Sequence, residues 1–372
     1  MKIKILKENL LRGVEIVSKV SLKKISLPIL SNCLIETEKN FLKISATNLE
    51  SGITWWGLAK IEEQGNVCVN VNFFSSILSN LNEEVINLET EDHILKIKNK
   101  KFSLKIKGVN PEEFPILPQI ETLEKISLSS EDLCSSLRKI VGIPSPSLGR
   151  PEISGILFSF EKDNLKLVAT DSFRLAEKKI KLFSPIEKSY SLILPQNTAK
   201  EIIGIFEKEE GEINFYLSQN QIFVESLAKE LPQRKILFTS KLIDGEYPNY
   251  QEVVPKKFKT SVILDREEFL TQIRSASLFS GKINEVKLNI KQKEGVVEVL
   301  SQNPDYGEFK SQIFSKIEGE DISISFNYRF LIEGVSSIDE KEINLLLTDA
   351  EGPAVLKSSE TYFYVLMPIK AS

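Results

Sequence analysis

Histidine, methionine and cysteine are scarce in this 372-residue chain, which has one, two and three of them respectively. The lone histidine, His93, cannot build a His-rich metal site. It stands in EDHILKIKNKKFSLKI (91–106), an alternating run in which a turn or surface place suits it better than chemistry. Cys33, Cys68 and Cys134 are widely spaced without a C-x-x-C, which argues against a disulfide framework and against zinc. No apolar run approaches the roughly 18 residues of a membrane span. The opening MKIKILKENLLRG is too charged for a signal peptide, so a cytoplasmic protein with no membrane partner is expected.

The motifs of common chemistry are missing too. There is no G-x-x-x-x-G-K-[ST], no G-x-G-x-x-G, no H-E-x-x-H and no G-x-S-x-G. No cofactor and no metal is expected. One phrase, LVATDSFRLAEKK (167–179), ends a strand in a hydroxyl, a carboxylate and an arginine. Ser172 beside Arg174 lacks an evident base, and His93 lies far away in sequence, so the expectation is a protein that is not an enzyme. The net charge of −4 excludes a uniformly basic nucleic-acid binder.

What the chain does have is repetition. Three segments open with helical patterns, KENLLRGVEIVSKV (7–20), SSEDLCSSLRKIVGI (129–143) and DREEFLTQIRSASLF (265–279). Their apolar positions are Leu10, Leu11, Val14 and Val17, then Leu133, Leu137, Ile140 and Val141, then Phe269, Leu270 and Ile273. Strand-like pairs follow, ending in similar phrases with Asn48, Asp171 and Asn303 at the matched polar place. Second helices are predicted over 70–81, 194–206 and 326–338, with Asn72, Asn197 and Asn327 as N-caps. Two further strands close each unit. Each unit therefore reads helix, strands, helix, strands, an α+β repeat with two helices packed on antiparallel sheets. The expected domains are 1–122, 126–253 and 259–372, joined by segments at 114–125 and 253–261 that read as linkers.

Positive charge falls on the helices of an acidic chain. Arg12 and Lys19 share a helical face, and Lys24, Arg138, Arg150, Lys200 and Arg274 are further candidates to face a phosphate backbone. A solvated helix surface explains such residues equally well.

Five phrases in order and spacing, LPILSNCLIE (27–36), ATNLESGI (46–53), LVATDSFRLA (167–176), KLIDGEYPNYQEVVP (241–255) and YVLMPI (364–369), resemble the bacterial β sliding clamp family, the processivity subunit of DNA polymerase III. The resemblance covers essentially the whole chain. It implies three tandem repeats of the DNA clamp fold and a homodimer closed head to tail into a ring. That ring encircles duplex DNA without reading sequence and catalyses nothing. The implied partners are the polymerase III catalytic subunit, the clamp loader and other proteins carrying clamp-binding motifs. The resemblance also implies a partner-peptide pocket at Ile153, Thr170, Ser172, Phe173, Arg174, Leu175, Pro248, Val253, Pro353, Val365, Met367, Pro368 and Ile369. Leu175, Val253, Val365 and Met367 suit an apolar cup. The chain departs from the family's usual pattern at Ser172 and Phe173, which replace Gly-His, and at Glu252, where a basic residue is common. Phe102 and Leu104, on an edge strand, are expected to meet Leu278 and Phe279 of a second copy. The competing reading is a repeat-built protein-binding scaffold that never encircles DNA. Because Asn48, Asp171 and Asn303 recur, the polar cluster reads as a backbone-satisfying turn, and Phe173-Arg174-Leu175 as the partner-facing part.

Overall fold

A computed structural model describes residues 1–20, 27–98, 102–120, 125–147, 149–228 and 234–370. Among the described residues six α-helices lie in chain order: α1 (Lys7–Val17), α2 (Val71–Asn80), α3 (Ser130–Ile140), α4 (Gln196–Phe206), α5 (Arg266–Ser277) and α6 (Tyr328–Ser336). The predicted apolar faces are buried except at Leu11 and Val141, which are half-buried. Ser129 and Asp265 accept the Asp132 and Glu268 N–H groups at 3.2 and 3.0 Å, which caps α3 and α5. Asn327 caps α6 as expected. Asn72 does not cap α2; Asn70 does, two residues earlier, because the strand before it turns sooner. Asn197 lies inside α4, whose first residue Gln196 instead donates to the carbonyls of Val141 and Pro144 at 2.8 and 2.9 Å.

Two compact units emerge. The first comprises Met1–Ser135, Leu182–Ile186 and Asn197–Ile243; the second comprises Ser136–Lys181, Glu187–Gln196 and Asp244–Ser372. Compactness thus divides the middle repeat. The first unit holds a five-stranded sheet in the order Lys60–Glu63, Lys2–Leu6, Val85–Glu91, Ile94–Lys98, Ser103–Lys107. Its eight-stranded sheet runs Ile126–Ser129, Glu212–Leu217, Gln221–Leu227, Arg234–Lys241, Ser51–Leu58, Phe41–Thr47, Asn32–Glu38, Asn66–Asn70. The second unit holds a nine-stranded sheet in the order Tyr190–Pro195, Gly155–Glu161, Asn164–Thr170, Arg174–Lys181, Tyr362–Leu366, Ala354–Ser359, Glu342–Leu347, Thr260–Asp265, Lys316–Gly319. A four-stranded sheet, Gly307–Phe314, Val296–Asn303, Glu285–Lys291, Ile322–Asn327, completes it. Each repeat opens with a short strand before its first helix and closes with three strands, where the sequence pattern suggested no opening strand and two closing ones. These opening strands, as short as four residues in Ile126–Ser129, are hard to separate from a helix start by periodicity. His93 occupies the Asp92–His93 turn with both φ angles positive, as a tight hairpin requires.

Two joints build the large sheets. The last strand of the middle repeat pairs with the first repeat, setting Thr239 opposite Gly52 and Phe238 opposite Ile53. The last strand of the third repeat pairs with the middle one, setting Val365 opposite Leu175 and Tyr364 opposite Ala176. The expected linkers are not free connectors. Phe114–Ile120 walls a cleft with Leu34, Ser45, Thr54 and Trp56, and Val254 and Phe258 of 253–261, with Tyr247 and Tyr250 just before them, pack on Leu157, Val168, Leu175 and Val365.

Beside the first joint, the sixth residue of α4, Glu201, accepts from Ser51 Oγ at 2.7 Å and Asn48 Nδ2 at 3.3 Å. Burial raises its carboxyl from 4.5 to about 7, with the two hydrogen bonds opposing that rise. The folded chain therefore keeps a proton that the unfolded chain has already lost between pH 4.5 and about 7. This stability is complete below the unfolded value and is lost as pH rises through the folded one. Glu201→Gln is expected to remove this loss, worth about 3 kcal/mol. Urea unfolding at pH 5 and pH 8 checks it: equal pH dependence in both proteins would contradict the assignment.

Candidate partner groove and DNA-facing helices

The turn after Asn164–Thr170 satisfies its own backbone. Thr170 Oγ1 donates to the Arg174 carbonyl at 2.8 Å and accepts from the Ser172 N–H at 3.2 Å. Asp171 Oδ1 accepts the N–H groups of Phe173 and Arg174, both at 3.0 Å. The first repeat builds the same turn. Thr47 Oγ1 donates to the Ser51 carbonyl at 2.8 Å, and Asn48 Oδ1 accepts from Glu50 and Ser51 at 2.9 and 2.7 Å. Asn303 keeps one such bond, from the Asp305 N–H at 2.9 Å. Asp171 is therefore a turn residue, and its recurrence in the sequence was the signal.

Arg174 does not face partners as expected. Its side chain is 9% exposed and pairs with Asp171 at 2.9 Å and with Glu333, the sixth residue of α6. It also donates to the Gly142 carbonyl at 3.2 Å and lies 4.3 Å from the Phe330 ring centroid. These contacts engage all three guanidinium nitrogens and set an aromatic ring against the group, which explains arginine there rather than lysine. Leu175 and Val365 are also buried, as floor residues beneath Tyr247 and Tyr250. Tyr250 donates to Glu177 Oε2 at 2.6 Å. Neither tyrosine nor Glu177 was anticipated, though two tyrosines in the polar run DGEYPNYQ were a visible cue.

The apolar groups left at the surface are Phe173, Val253 and Met367, at 63%, 57% and 40% exposure. The Met367 N–H bonds to the Phe173 carbonyl at 2.9 Å, which brings the two side by side. Ile153 is buried; Thr170, Pro248, Pro353, Pro368 and Ile369 are half-buried; Ser172 and Glu252 are exposed. Arg150 donates to Ser172 Oγ at 3.4 Å, so it sits with this groove rather than on a helix.

The other cations differ in their surroundings. Arg12 is paired at 2.6 Å with Glu209, a buried carboxylate that Lys235 also contacts at 2.5 Å. Lys19 follows the end of α1, so the seven-residue spacing to Arg12 is not purely helical. Arg138, Lys200 and Arg274 are exposed on α3, α4 and α5, and Lys24 lies outside the described residues. Ser103–Lys107 is an edge strand, with Phe102 and Leu104 half-buried. Leu278 is 76% exposed, whereas Phe279 stacks on Phe309 at 6.1 Å.

Comparison with known proteins agrees with this layout repeat by repeat. Residues 1–118, 137–249 and 251–370 match the N-terminal, central and C-terminal domains of the DNA polymerase III beta subunit. The chain belongs to the beta sliding clamp family. It is 28% identical to the beta sliding clamp of Bacillus subtilis (strain 168) over 384 aligned positions, covering all of both chains. It is 26% identical to that of Halalkalibacterium halodurans, over 94% of this chain and 93% of the relative. The solved B. subtilis clamp superposes with a TM-score of 0.93 at 28% identity, covering both chains in full. A putative DNA polymerase III beta subunit from Eubacterium rectale gives 0.92 at 27% identity, again with full coverage. The chain is thus a DNA sliding clamp for processive replication, with DNA, polymerase and a second copy as its partners.

Ser172 has φ +76°, a left-handed conformation that costs a non-glycine residue roughly 1–2 kcal/mol. Ser172→Gly, which relieves that strain at some cost in unfolded-chain entropy, is expected to raise stability by up to about 1 kcal/mol. The urea midpoint tests this, and an unchanged or lower midpoint contradicts it.

Proposed function

We propose that two chains close head to tail by adding a strand joint at each contact between a first and a third repeat. One observation carries this reading. Two joints are made within the chain, and one edge of each kind is left over, Ser103–Lys107 and Gly307–Phe314. The registers say how they would meet. Val85, Glu212 and Glu342 each oppose the last residue of an opening strand, and counting from them puts Lys105 in the place of Thr239 and Val365. Asn32, Gly155 and Glu285 each oppose the strand end before a second helix, and counting from them puts Glu308 in the place of Gly52 and Leu175. The new joint therefore sets Lys105 opposite Glu308 and Leu104 opposite Phe309. Phe238 and Tyr364, which hold Leu104's place in the other joints, are fully buried. Leu278 and Phe279 follow the end of α5, and Phe279 stacks on Phe309.

Ser76 is the sixth residue of α2, where α4 and α6 carry Glu201 and Glu333. The proposed joint therefore lacks the carboxylate that ties each internal one, which suits a ring that must open for loading. Arg138, Lys200 and Arg274, exposed on their helices, would track the encircled phosphates without reading bases, while Arg12 is held by Glu209. Phe173, Val253 and Met367, with Arg150 and Ser172 at the rim, form the groove for clamp-binding motifs of the polymerase, the clamp loader and other partners. Glu252 and the aromatic Phe173 favour motifs with an apolar or basic residue there. The protein acts in the cytoplasm as a tether, not a catalyst, with no cofactor and no metal.

Lys105→Glu is expected to weaken the dimer about tenfold and to cut retention on nicked circular DNA after loading. Adding Glu308→Lys to the same chain should restore both, and linearising the DNA should release the unmodified ring. Retention that ignores linearisation would favour the scaffold reading.

A further inference from the structure

The three repeats carry one sheet face in register. Its floor is Leu34, Ser45 and Thr54 in the first, Leu157, Val168 and Glu177 in the second, and Lys287, Leu300 and Lys310 in the third. The first floor is covered by the chain's own segment Phe114–Ile120, whose Leu117 Cδ2 lies 2.8 Å from where a Cβ on Gly52 would stand. The second is covered by Tyr247, Tyr250 and Val254. Both covering segments contain an acidic residue, an aromatic and a proline in succession, Glu113-Phe114-Pro115 and Glu246-Tyr247-Pro248. The third floor opens into a cleft of about 760 Å³ whose lining residues all fall within 281–310, Gly281 and Ile283 before the first strand among them. The described residues after Leu366 go elsewhere, with Met367 and Ile369 bonding to the carbonyls of Phe173 and Ser325.

We propose that this third face is a strap groove for a partner protein, and that it takes an extended segment of acidic–aromatic–proline chemistry. The two strapped grooves, the first of which keeps a cleft of about 510 Å³ beside its strap, define the occupant, because the same fold feature carries the same kind of segment twice within one chain. The lining fits it. Ile283, 60% exposed, and half-buried Leu300 offer an apolar seat for the ring. Lys287 is exposed, and Lys310, which pairs with Glu298 at 3.2 Å, keeps its side chain 60% exposed; both suit a carboxylate. Glu285 and Glu308 also line the cleft. The partner copy's Lys105 would neutralise Glu308, the one point at which the inference leans on the ring reading; the floor itself lies within one chain.

The probe is a fluorescein-labelled peptide of residues 110–120, NPEEFPILPQI, titrated with the full chain by polarisation. Saturable binding with a Kd below about 1 mM is expected. Lys287→Glu and Leu300→Asp should each weaken it at least about tenfold, and a peptide with both glutamates changed to lysine should bind as poorly. Lys287 is exposed, so its variant reports even if Leu300→Asp unfolds the domain. No saturation, or binding indifferent to Lys287→Glu, overturns the proposal. Sedimentation of the same samples separates the two readings: a monomeric wild-type chain would count against the ring, while the peptide result would still decide the groove.

Discussion

The hydrogen-bonded joint between one repeat's last strand and its neighbour's sheet is the constraint on which the rest depends. A strand edge left unpaired is costly if buried and adhesive if exposed. Joining repeats edge to edge removes that liability twice within the chain and leaves one edge at each end of the series. The proposed partner groove depends on the same joint: Leu175 and Val365 meet there, and Tyr247 and Tyr250 pack against them. The exposed remainder, Phe173, Val253 and Met367, is the apolar surface proposed here for other proteins.

Charge is placed to serve those joints before it serves ligands. Glu201 accepts hydrogen bonds from the Asn48 turn, and Glu333 pairs with Arg174 of the Asp171 turn, each from the sixth position of a second helix. The chemistry differs because the partners differ. Neutral Ser51 and Asn48 leave Glu201 with a raised carboxyl, whereas Arg174 meets Glu333 as a full cation. The net negative charge is consistent with DNA held by enclosure, which requires little attraction, and several basic side chains are already paired internally.

Much of this was legible in the chain because repetition amplifies weak signals. The helical faces, the Asn327 cap and the turn role of Asp171 followed from periodicity and recurrence. What escaped depends on contacts distant in sequence. Arg174 looked like a ligand-binding group because Glu333 and Phe330, which absorb it, lie far along the chain. Arg12 looked free because Glu209 sits in the next repeat. The segment 114–125 looked like a linker because proline and polar residues mark extended chain whether or not a sheet lies beneath it. The short opening strands lacked the length to declare a period.

The joint between chains is the central claim, and site-specific cross-linking tests it most directly. The three native cysteines are buried, so thiols placed at Leu104 and Phe309 of one chain can be read cleanly. With Leu104→Cys and Phe309→Cys together, a short bis-maleimide is predicted to give a covalent dimer in high yield, bridged at both joints. Cross-linking absent at this pair, or appearing only when the first cysteine is moved along the strand to Ser103 or Lys105, would contradict the register and the account built on it.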